Sequence, residues 1–181
     1  MMNIVYFDLE TQKSAEEVGG WENKHRMGFS FAVTYSTREE RFRGYEEEDI
    51  PELISELRAA DCVVGYNVLG FDYSVLSPYT DVDLSKLPTL DLMVSLHPVL
   101  GFRPKLDSLA AATLQSGKTA DGLKAIQWFR EGNFASIALY CKEDVRITRD
   151  LHLFGCRNGF IYYKNRSNQS TRVNVAWSID R

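Results

Sequence analysis

Short apolar runs separated by polar turns dominate the first quarter of the chain and predict strands. Residues 3–9 are apolar, with β-branched and aromatic members, and indicate a buried strand. Residues 28–35 and 40–45 follow as two further strands on either side of a polar turn. The last of these alternates basic and aromatic side chains, so one of its faces is expected to contact water.

The hydrophobic period changes at residue 49, where the first helix is predicted. Residues 49–60 place apolar side chains three and four positions apart, with Pro51 in the first turn. An apolar strand at residues 62–66 and a short helix at residues 71–79 come next. This strand follows a helix, so the pattern favours a parallel crossover.

Helical periodicity continues from the end of a polar loop at residues 80–88 to residue 159. Its longest segment is predicted at residues 134–157. Breaks are expected near residues 101–104, 116–117 and 132–133. Beyond them, residues 160–164 and 172–177 are expected to pair as a terminal hairpin. The whole order predicts a mixed sheet packed by helices, and the pattern alone leaves α/β and α+β both open.

Length and composition place the chain among ordinary globular proteins. Its 181 residues suit one domain, and 44% hydrophobic with 25% charged residues is a normal balance. No apolar run is long enough to cross a bilayer, and Asp8 and Glu10 interrupt the first apolar segment, so we expect a cytoplasmic protein without a membrane contact. Three widely spaced cysteines argue against a disulfide framework and a thiolate zinc site.

Two carboxylates, Asp8 and Glu10, lie two positions apart in the first strand and therefore leave the same face of it. Carboxylates on a strand that is otherwise apolar are costly unless positive charge compensates them. They therefore indicate that a positively charged group compensates them. The alternative is that they flank an exposed strand end and have no function.

Two further acidic positions accompany this pair. Asp72 follows a strand at the start of a helix, where α/β folds place ligands, although it is equally suited to be a helix N-cap. Tyr140 and Asp144 are one helical turn apart on a face that Ile147 and Leu151 continue, so this face is expected to point inward. The alternative for Asp144 is a pairing with an arginine or with the Tyr140 hydroxyl.

Together these sites resemble the three sequence motifs of the DnaQ-like, or DEDD, 3′–5′ exonucleases. The motifs are Phe-Asp-Leu-Glu-Thr at residues 7–11, Asn67 with Phe71 and Asp72, and Tyr140 with Asp144. The last is similar to the tyrosine-type (DEDDy) branch, which includes the proofreading exonuclease domain of family B DNA polymerases. The histidine-type branch has a histidine five residues before the last aspartate, where this chain has Leu139.

The resemblance implies a ribonuclease-H-like α/β fold, a mixed five-stranded sheet flanked by helices. Residues 1–159 would form the exonuclease domain, and residues 160–181 a C-terminal β-hairpin extension of it. The implied activity is metal-dependent removal of nucleoside monophosphates from single-stranded or frayed 3′ ends, DNA in preference to RNA, by two-metal-ion hydrolysis. A noncatalytic nucleic-acid-binding module and a ribonuclease-H-like endonuclease are the alternatives. A polymerase or helicase that delivers the substrate is left open as a partner.

The resemblance also assigns roles to individual residues. Two Mg²⁺ or Mn²⁺ ions would be held by carboxylates, with Asp8 bridging both, Glu10 and Asp144 completing the ion beside the attacking water, and Asp72 acting on the second ion. Tyr140 would orient the attacking water, because a phenol with a pKa near 10 is a poor base. The implied substrate-binding residues are Leu9, Thr11, Asn67 and Phe71.

Charge along the chain is uneven although its net value is −4. No acidic residue occurs between Leu151 and Ile179, a segment that contains Arg157, Lys164, Arg166 and Arg172. The terminal hairpin is therefore a candidate for tracking a phosphate backbone. The alternative is a sheet extension whose basic residues only face water. Similarly, Trp21 either stacks on a base of a single strand or packs within its loop.

Overall fold

In the computed structural model, which describes residues 2–116, 122–165 and 167–178, five strands form one mixed sheet. They are β1 (Ile4–Thr11), β2 (Phe29–Ser36), β3 (Arg41–Tyr45), β4 (Cys62–Gly65) and β5 (Thr89–Asp91). Strand β1 is central in the order β3-β2-β1-β4-β5. It pairs antiparallel with β2 and parallel with β4, which confirms the predicted meander and crossover.

Six α-helices accompany this sheet in the described residues. They are α1 (Ile50–Ala59), α2 (Asp72–Leu76), α3 (Leu92–Leu100), α4 (Leu106–Thr113), α5 (Gly122–Arg130) and α6 (Phe134–Asn158). The buried residues of α1 and α2 pack on one face of the sheet, and those of α3, α4 and α6 pack on the other. Among the described residues, no helix has the length and apolar character needed to cross a membrane.

The central strand supplies both cores because its side chains alternate between the two faces. Val5, Phe7 and Leu9 pack toward α1 and α2, whereas Ile4 and Tyr6 pack toward α6. The period of two then places Asp8 and Glu10 on the α6 face, at the end of the strand. The architecture is a ribonuclease-H-like α/β fold, as predicted.

Three element boundaries differ from the sequence prediction. The segment that follows the polar loop was expected to be helical, but Thr89–Asp91 forms β5, because three residues are enough to pair in parallel with β4. The short helix predicted at residues 71–79 is α2 followed by a 3-10 turn at Ser77–Tyr79. The second hairpin strand begins and ends earlier than predicted.

The hairpin consists of β6 (Phe160–Lys164) and β7 (Ser170–Asn174), and it lies against α4 and α6. The Thr113 hydroxyl donates to the Tyr162 carbonyl oxygen at 2.8 Å and accepts from the Tyr162 amide at 2.9 Å. After β7 the chain returns to α6, where Trp177 occupies the space beside Gly155. A side chain at Gly155 would overlap the indole ring, so this glycine permits the close approach.

Candidate metal centre

Asp8 and Glu10 lie where β1 leaves the regular sheet. Pairing with β2 is continuous to Glu10, and the register shifts between Glu10 and Thr11. Such bulges redirect side chains at strand ends. Asp8 is half-buried and Glu10 is buried. The alternative interpretation, in which both carboxylates flank an exposed strand end, is therefore wrong.

Asp72 reaches this strand from the neighbouring crossover. Strands β1 and β4 are parallel, so the turn after β4 opens at the sheet edge where β1 ends. Phe71 is the N-cap of α2 and Asp72 is its first residue, so the N-cap role considered for Asp72 is wrong. Its Oδ1 instead accepts the Leu9 amide at 3.1 Å. The Leu9 side chain lies in the core, and its backbone N–H is occupied by the hydrogen bond to Asp72.

A buried carboxylate that the sequence did not reveal, Asp91, fixes the turn that presents Asp72. Its Oδ1 accepts the Asn67 amide at 2.9 Å, and its Oδ2 accepts the Leu69 amide at 3.0 Å. The same carboxylate caps α3 through the amides of Met93 and Val94. These contacts hold Asn67 at a φ of 65°, a left-handed conformation that asparagine tolerates. Asn67 therefore shapes the turn.

Helix α6 brings Tyr140, Cys141 and Asp144 to the same place. The Cys141 thiol donates to the Asp8 backbone oxygen at 3.3 Å and lies 3.6 Å from its Oδ2. Ligand atoms of Asp8, Glu10 and Cys141 all lie within 4.8 Å of one another. The Tyr140 ring packs edge-on against Trp128 of α5, with ring centroids 6.2 Å apart.

Burial and mutual repulsion dominate the electrostatics of this cluster. Burial raises the pKa of Asp8 well above its ordinary value, and the charges of Asp72, Glu10 and Asp144 raise it further. The pKa of Glu10 is raised by burial and then by Asp144 and Asp72. Burial also raises the pKa of Asp72 to about 8, despite the hydrogen bonds it accepts. The four carboxylates are therefore close enough to oppose one another's ionisation.

Basic side chains do not relieve this repulsion at three of the four carboxylates. Within the described ranges, no lysine or arginine forms an ion pair with Asp8, Glu10 or Asp72. The nearby arginines of α6, Arg146 and Arg149, pair with Glu143 and Asp150. Uncompensated buried carboxylates are stabilised when a cation binds between them.

The donor set fits a hard divalent cation. Carboxylate oxygens are the ligands of Mg²⁺ and Mn²⁺, whereas zinc sites favour thiolate and imidazole. Cys141 does not change this assignment, because burial and the charges of Asp8 and Glu10 raise the pKa of its thiol and keep it protonated. It serves as a hydrogen-bond donor to Asp8 rather than as a thiolate ligand.

A small apolar pocket of about 230 Å³ opens directly beside the carboxylates. Its walls include Glu10, Thr11, Trp21, Phe71 and Leu123. Trp21 is 66% exposed and meets Phe71 edge-on at 6.2 Å, so it forms a rim rather than part of the core. The Thr11 hydroxyl donates to the Lys13 carbonyl oxygen at 3.0 Å and can still accept a hydrogen bond.

The predicted site residues thus fall into two groups. Asp8, Glu10, Asp72, Asp144 and Tyr140 lie together. Burial and then the charges of Asp72 and Asp144 raise the pKa values of Asp8 and Glu10, and burial and then the charges of Asp144, Glu10 and Asp8 raise the pKa of Tyr140. The four residues predicted to contact the substrate fall into two pairs. Thr11 and Phe71 line the pocket, whereas Leu9 and Asn67 have structural roles. Sequence reasoning missed Cys141 and Asp91, and only the helical spacing of Cys141 from Asp144 hinted at the first.

The repulsion predicts that removing one carboxylate stabilises the cation-free protein. The carboxylates of this cluster have higher pKa values in the folded protein than in the unfolded chain, where the pKa of an aspartate is near 4. The folded protein therefore loses stability as the pH rises from about 4 through the folded-state pKa values. In EDTA, Asp8→Asn should therefore unfold at a higher temperature than the wild type near pH 8, by about 2–4 °C for each kcal/mol gained. The difference should shrink toward about pH 4. Thermal unfolding followed by circular dichroism measures it.

Asp81→Asn is the matched control, because Asp81 is exposed and away from the cluster. It should leave the unfolding temperature unchanged within about 0.5 kcal/mol. Added Mg²⁺ should stabilise the wild type and the control more than Asp8→Asn. An Asp8→Asn protein that melts at or below the wild type throughout this pH range in EDTA would contradict the repulsion.

No protein-family model matches this chain, and no curated protein is similar to it in sequence. Solved structures share its fold: 95 chains match, so the architecture is a recurrent one. Among them is the family B DNA polymerase from the hyperthermophilic archaeon Pyrobaculum calidifontis, with a TM-score of 0.64 and 19% identity over 86% of this chain. The chain spans 24% of that polymerase's length. At this identity the likeness shows a common fold, with a structural neighbour that is a DNA polymerase.

Proposed function

We propose that the chain is a metal-dependent 3′–5′ exonuclease of the tyrosine-type DEDD branch. The observation that carries the proposal is the convergence of Asp8, Glu10, Asp72 and Asp144 from three separate elements onto one buried point. The carboxylates also occur in the motif order and spacing of that branch. The polymerase neighbour agrees with an action on nucleic acid.

The carboxylates would divide the binding of two Mg²⁺ or Mn²⁺ ions among them. We assign Asp8 to both ions, Glu10 and Asp144 to the ion beside the attacking water, and Asp72 to the second ion. Cations bound by these residues would lower the pKa of the attacking water and stabilise the leaving 3′ oxygen. The Leu9 amide and the Cys141 thiol hold Asp72 and Asp8 in place for this task.

Hydrolysis at this site breaks the bond between phosphorus and the 3′ oxygen of the penultimate nucleotide. The oxygen of one water forms the new bond to phosphorus, and the products are a nucleoside 5′-monophosphate and a shortened strand with a 3′-hydroxyl. Tyr140 would orient that water. An unperturbed phenol has a pKa near 10, and burial raises the pKa of this one further, so the phenol would act through hydrogen bonding rather than as a base.

The pocket beside the carboxylates would receive the terminal nucleotide. Its aromatic wall, Phe71 and Trp21, offers stacking surface to a base of any identity. The Thr11 hydroxyl lies in the same pocket and would accept a hydrogen bond from the terminal 3′-hydroxyl. Both features favour a free 3′ end over an internal phosphodiester.

The central experiment follows a 5′-labelled single strand in Mg²⁺ or Mn²⁺. We expect a ladder of one-nucleotide steps, faster on DNA than on RNA of equal sequence, and complete arrest in EDTA. A 3′-terminal phosphate should slow cleavage, because the contact with Thr11 is lost. Asp8→Asn should lower the rate by more than about 10²-fold, since it removes charge that the transition state depends on.

Asp81→Asn controls for the loss of one surface charge and should cleave at the wild-type rate. Undiminished cleavage by Asp8→Asn, in protein free of other nucleases, would contradict the assignment of Asp8 as a metal ligand that cleavage requires. Cleavage of a circular single strand as fast as a linear one would show that the activity is endonucleolytic, because a circle has no 3′ end.

Tyr140 and Asp144 should respond differently to substitution. Asp144→Asn removes a metal ligand, whereas Tyr140→Phe removes one hydroxyl and leaves the ring against Trp128. A hydroxyl that positions water contributes about 10²–10⁴-fold, so Tyr140→Phe should keep more activity than Asp144→Asn. Single-turnover rates at saturating substrate measure the difference. Equal and complete loss in both variants would show that the tyrosine has another role.

A further inference from the structure

A second surface with nucleic-acid-binding chemistry lies between the end of α3 and the hairpin. An open cleft of about 600 Å³ is lined by Leu100, Gly101, Phe102, Tyr163, Lys164 and Asn165. Phe102 is 45% exposed and meets the Tyr163 ring edge-on, with centroids 5.8 Å apart. A large aromatic ring held at the surface by another ring is a ready platform for stacking.

The charge around this cleft has one sign. No acidic residue occurs at positions 92–106 or 151–178 of the sequence. Arg103 and Lys105 follow Phe102 in the loop, Lys164 lies on the hairpin, and all three are exposed. Within an acidic chain, such a local cationic surface complements a polyanion.

The loop that carries Phe102, Arg103 and Lys105 is anchored. Pro104 is buried, and its carbonyl oxygen accepts a hydrogen bond from the Tyr66 hydroxyl at 2.5 Å. Pro104 is thereby held inward, while Arg103 and Lys105 on either side of it are exposed. The basic side chains are presented from a fixed backbone, which lowers the ordering cost of binding.

The basic loop and the candidate metal centre are linked through α4. This helix begins directly after Lys105 and packs against α6, which carries Tyr140. A strand leaving the metal centre along this loop would meet Lys105, Arg103 and Phe102 in turn.

The structure changes the composition of the surface expected from sequence. Arg172 lies over the Phe160 ring at 3.9 Å and is not among the residues that line the cleft. Arg166 lies outside the described residues. Of the hairpin's basic residues, Lys164 lines the cleft, and the exposed Arg103 and Lys105 follow Phe102, which also lines it, along the α3–α4 loop.

We infer that this cleft, together with the exposed Arg103 and Lys105 that follow Phe102 in the loop, binds the single-stranded segment on the 5′ side of the cleaved nucleotide. Its bases would stack on Phe102 and its phosphates would contact the three basic side chains. A single strand suits the cleft because exposed aromatic rings have no access to the stacked bases of a duplex. The direction of the strand rests on the proposed exonuclease function, whereas binding itself does not.

The test measures binding of 5′-fluorescein-labelled DNA and RNA by anisotropy in EDTA, without cleavage. The triple variant Arg103→Gln, Lys105→Gln, Lys164→Gln should weaken binding of a strand of about 16 nucleotides by about 10-fold or more. Each lost phosphate contact removes about 0.7 from the slope of log K against log salt, so the slope should flatten by up to about 2. Phe102→Ala should weaken binding with little change in slope.

Arg38→Gln, Arg58→Gln, Lys86→Gln is the matched control, because it removes the same charge from exposed positions elsewhere. It should bind with nearly wild-type affinity and slope, and circular dichroism should show every variant folded. An unchanged slope in the cleft variant, or an equal loss in the control variant, overturns the proposal. Equal losses for blunt duplex and single strand overturn the single-strand assignment.

Two further outcomes separate this surface from the metal centre. If the wild type shows exonuclease activity, the cleft variant should raise KM and leave kcat unchanged. If the wild type binds single strands through the cleft and cleaves none of them, the exonuclease proposal is wrong and the proposal that the cleft binds single strands is retained.

Discussion

Repulsion among buried carboxylates at the end of β1 is the constraint around which this fold is organised. Ionised carboxylates in a poorly solvated site are among the costliest groups that a protein can bury. The chain nevertheless brings Asp8, Glu10, Asp72 and Asp144 together, at the meeting point of a central strand, a crossover turn and the longest helix. This arrangement lowers the stability of the cation-free protein, as is typical of sites that bind cations.

In the part of the chain that the structure describes, neutral donors rather than basic residues hold Asp8 and Asp72 against this repulsion. The Leu9 amide holds Asp72, the Cys141 thiol holds Asp8, and Asp91 braces the turn from behind. Neutral donors fix geometry while leaving the negative charge uncompensated, and this preserves affinity for divalent ions. A local basic surface with no acidic residue in its own segments of sequence lies elsewhere, along the α3–α4 loop and the hairpin, where we propose that a phosphate backbone binds.

Local periodicity explains how much of this was predictable from the sequence. The period of the strand places Asp8 and Glu10 on one face, and that of the helix pairs Tyr140 with Asp144. Strand β5 was missed because its three residues are too few to show a period, and its pairing with β4 is not local. The role of Cys141 depends on a contact 133 positions along the chain. That of Asp91 depends on amides more than 20 positions away. The local signals of both residues, the helical spacing of Cys141 from Asp144 and the position of Asp91 before α3, do not reveal these distant contacts.

The most direct test of the account is the number of cations that this cluster binds. Electron paramagnetic resonance of Mn²⁺ titrated into the protein, with a nucleoside 5′-monophosphate present, counts bound ions and reports whether they are magnetically coupled. The account predicts two coupled ions per chain, because paired ions in such sites lie about 3.5–4 Å apart. Asp8→Asn should abolish the coupling, since Asp8 is assigned to both ions. Absence of saturable Mn²⁺ binding, or an unchanged coupled pair in Asp8→Asn, would contradict it.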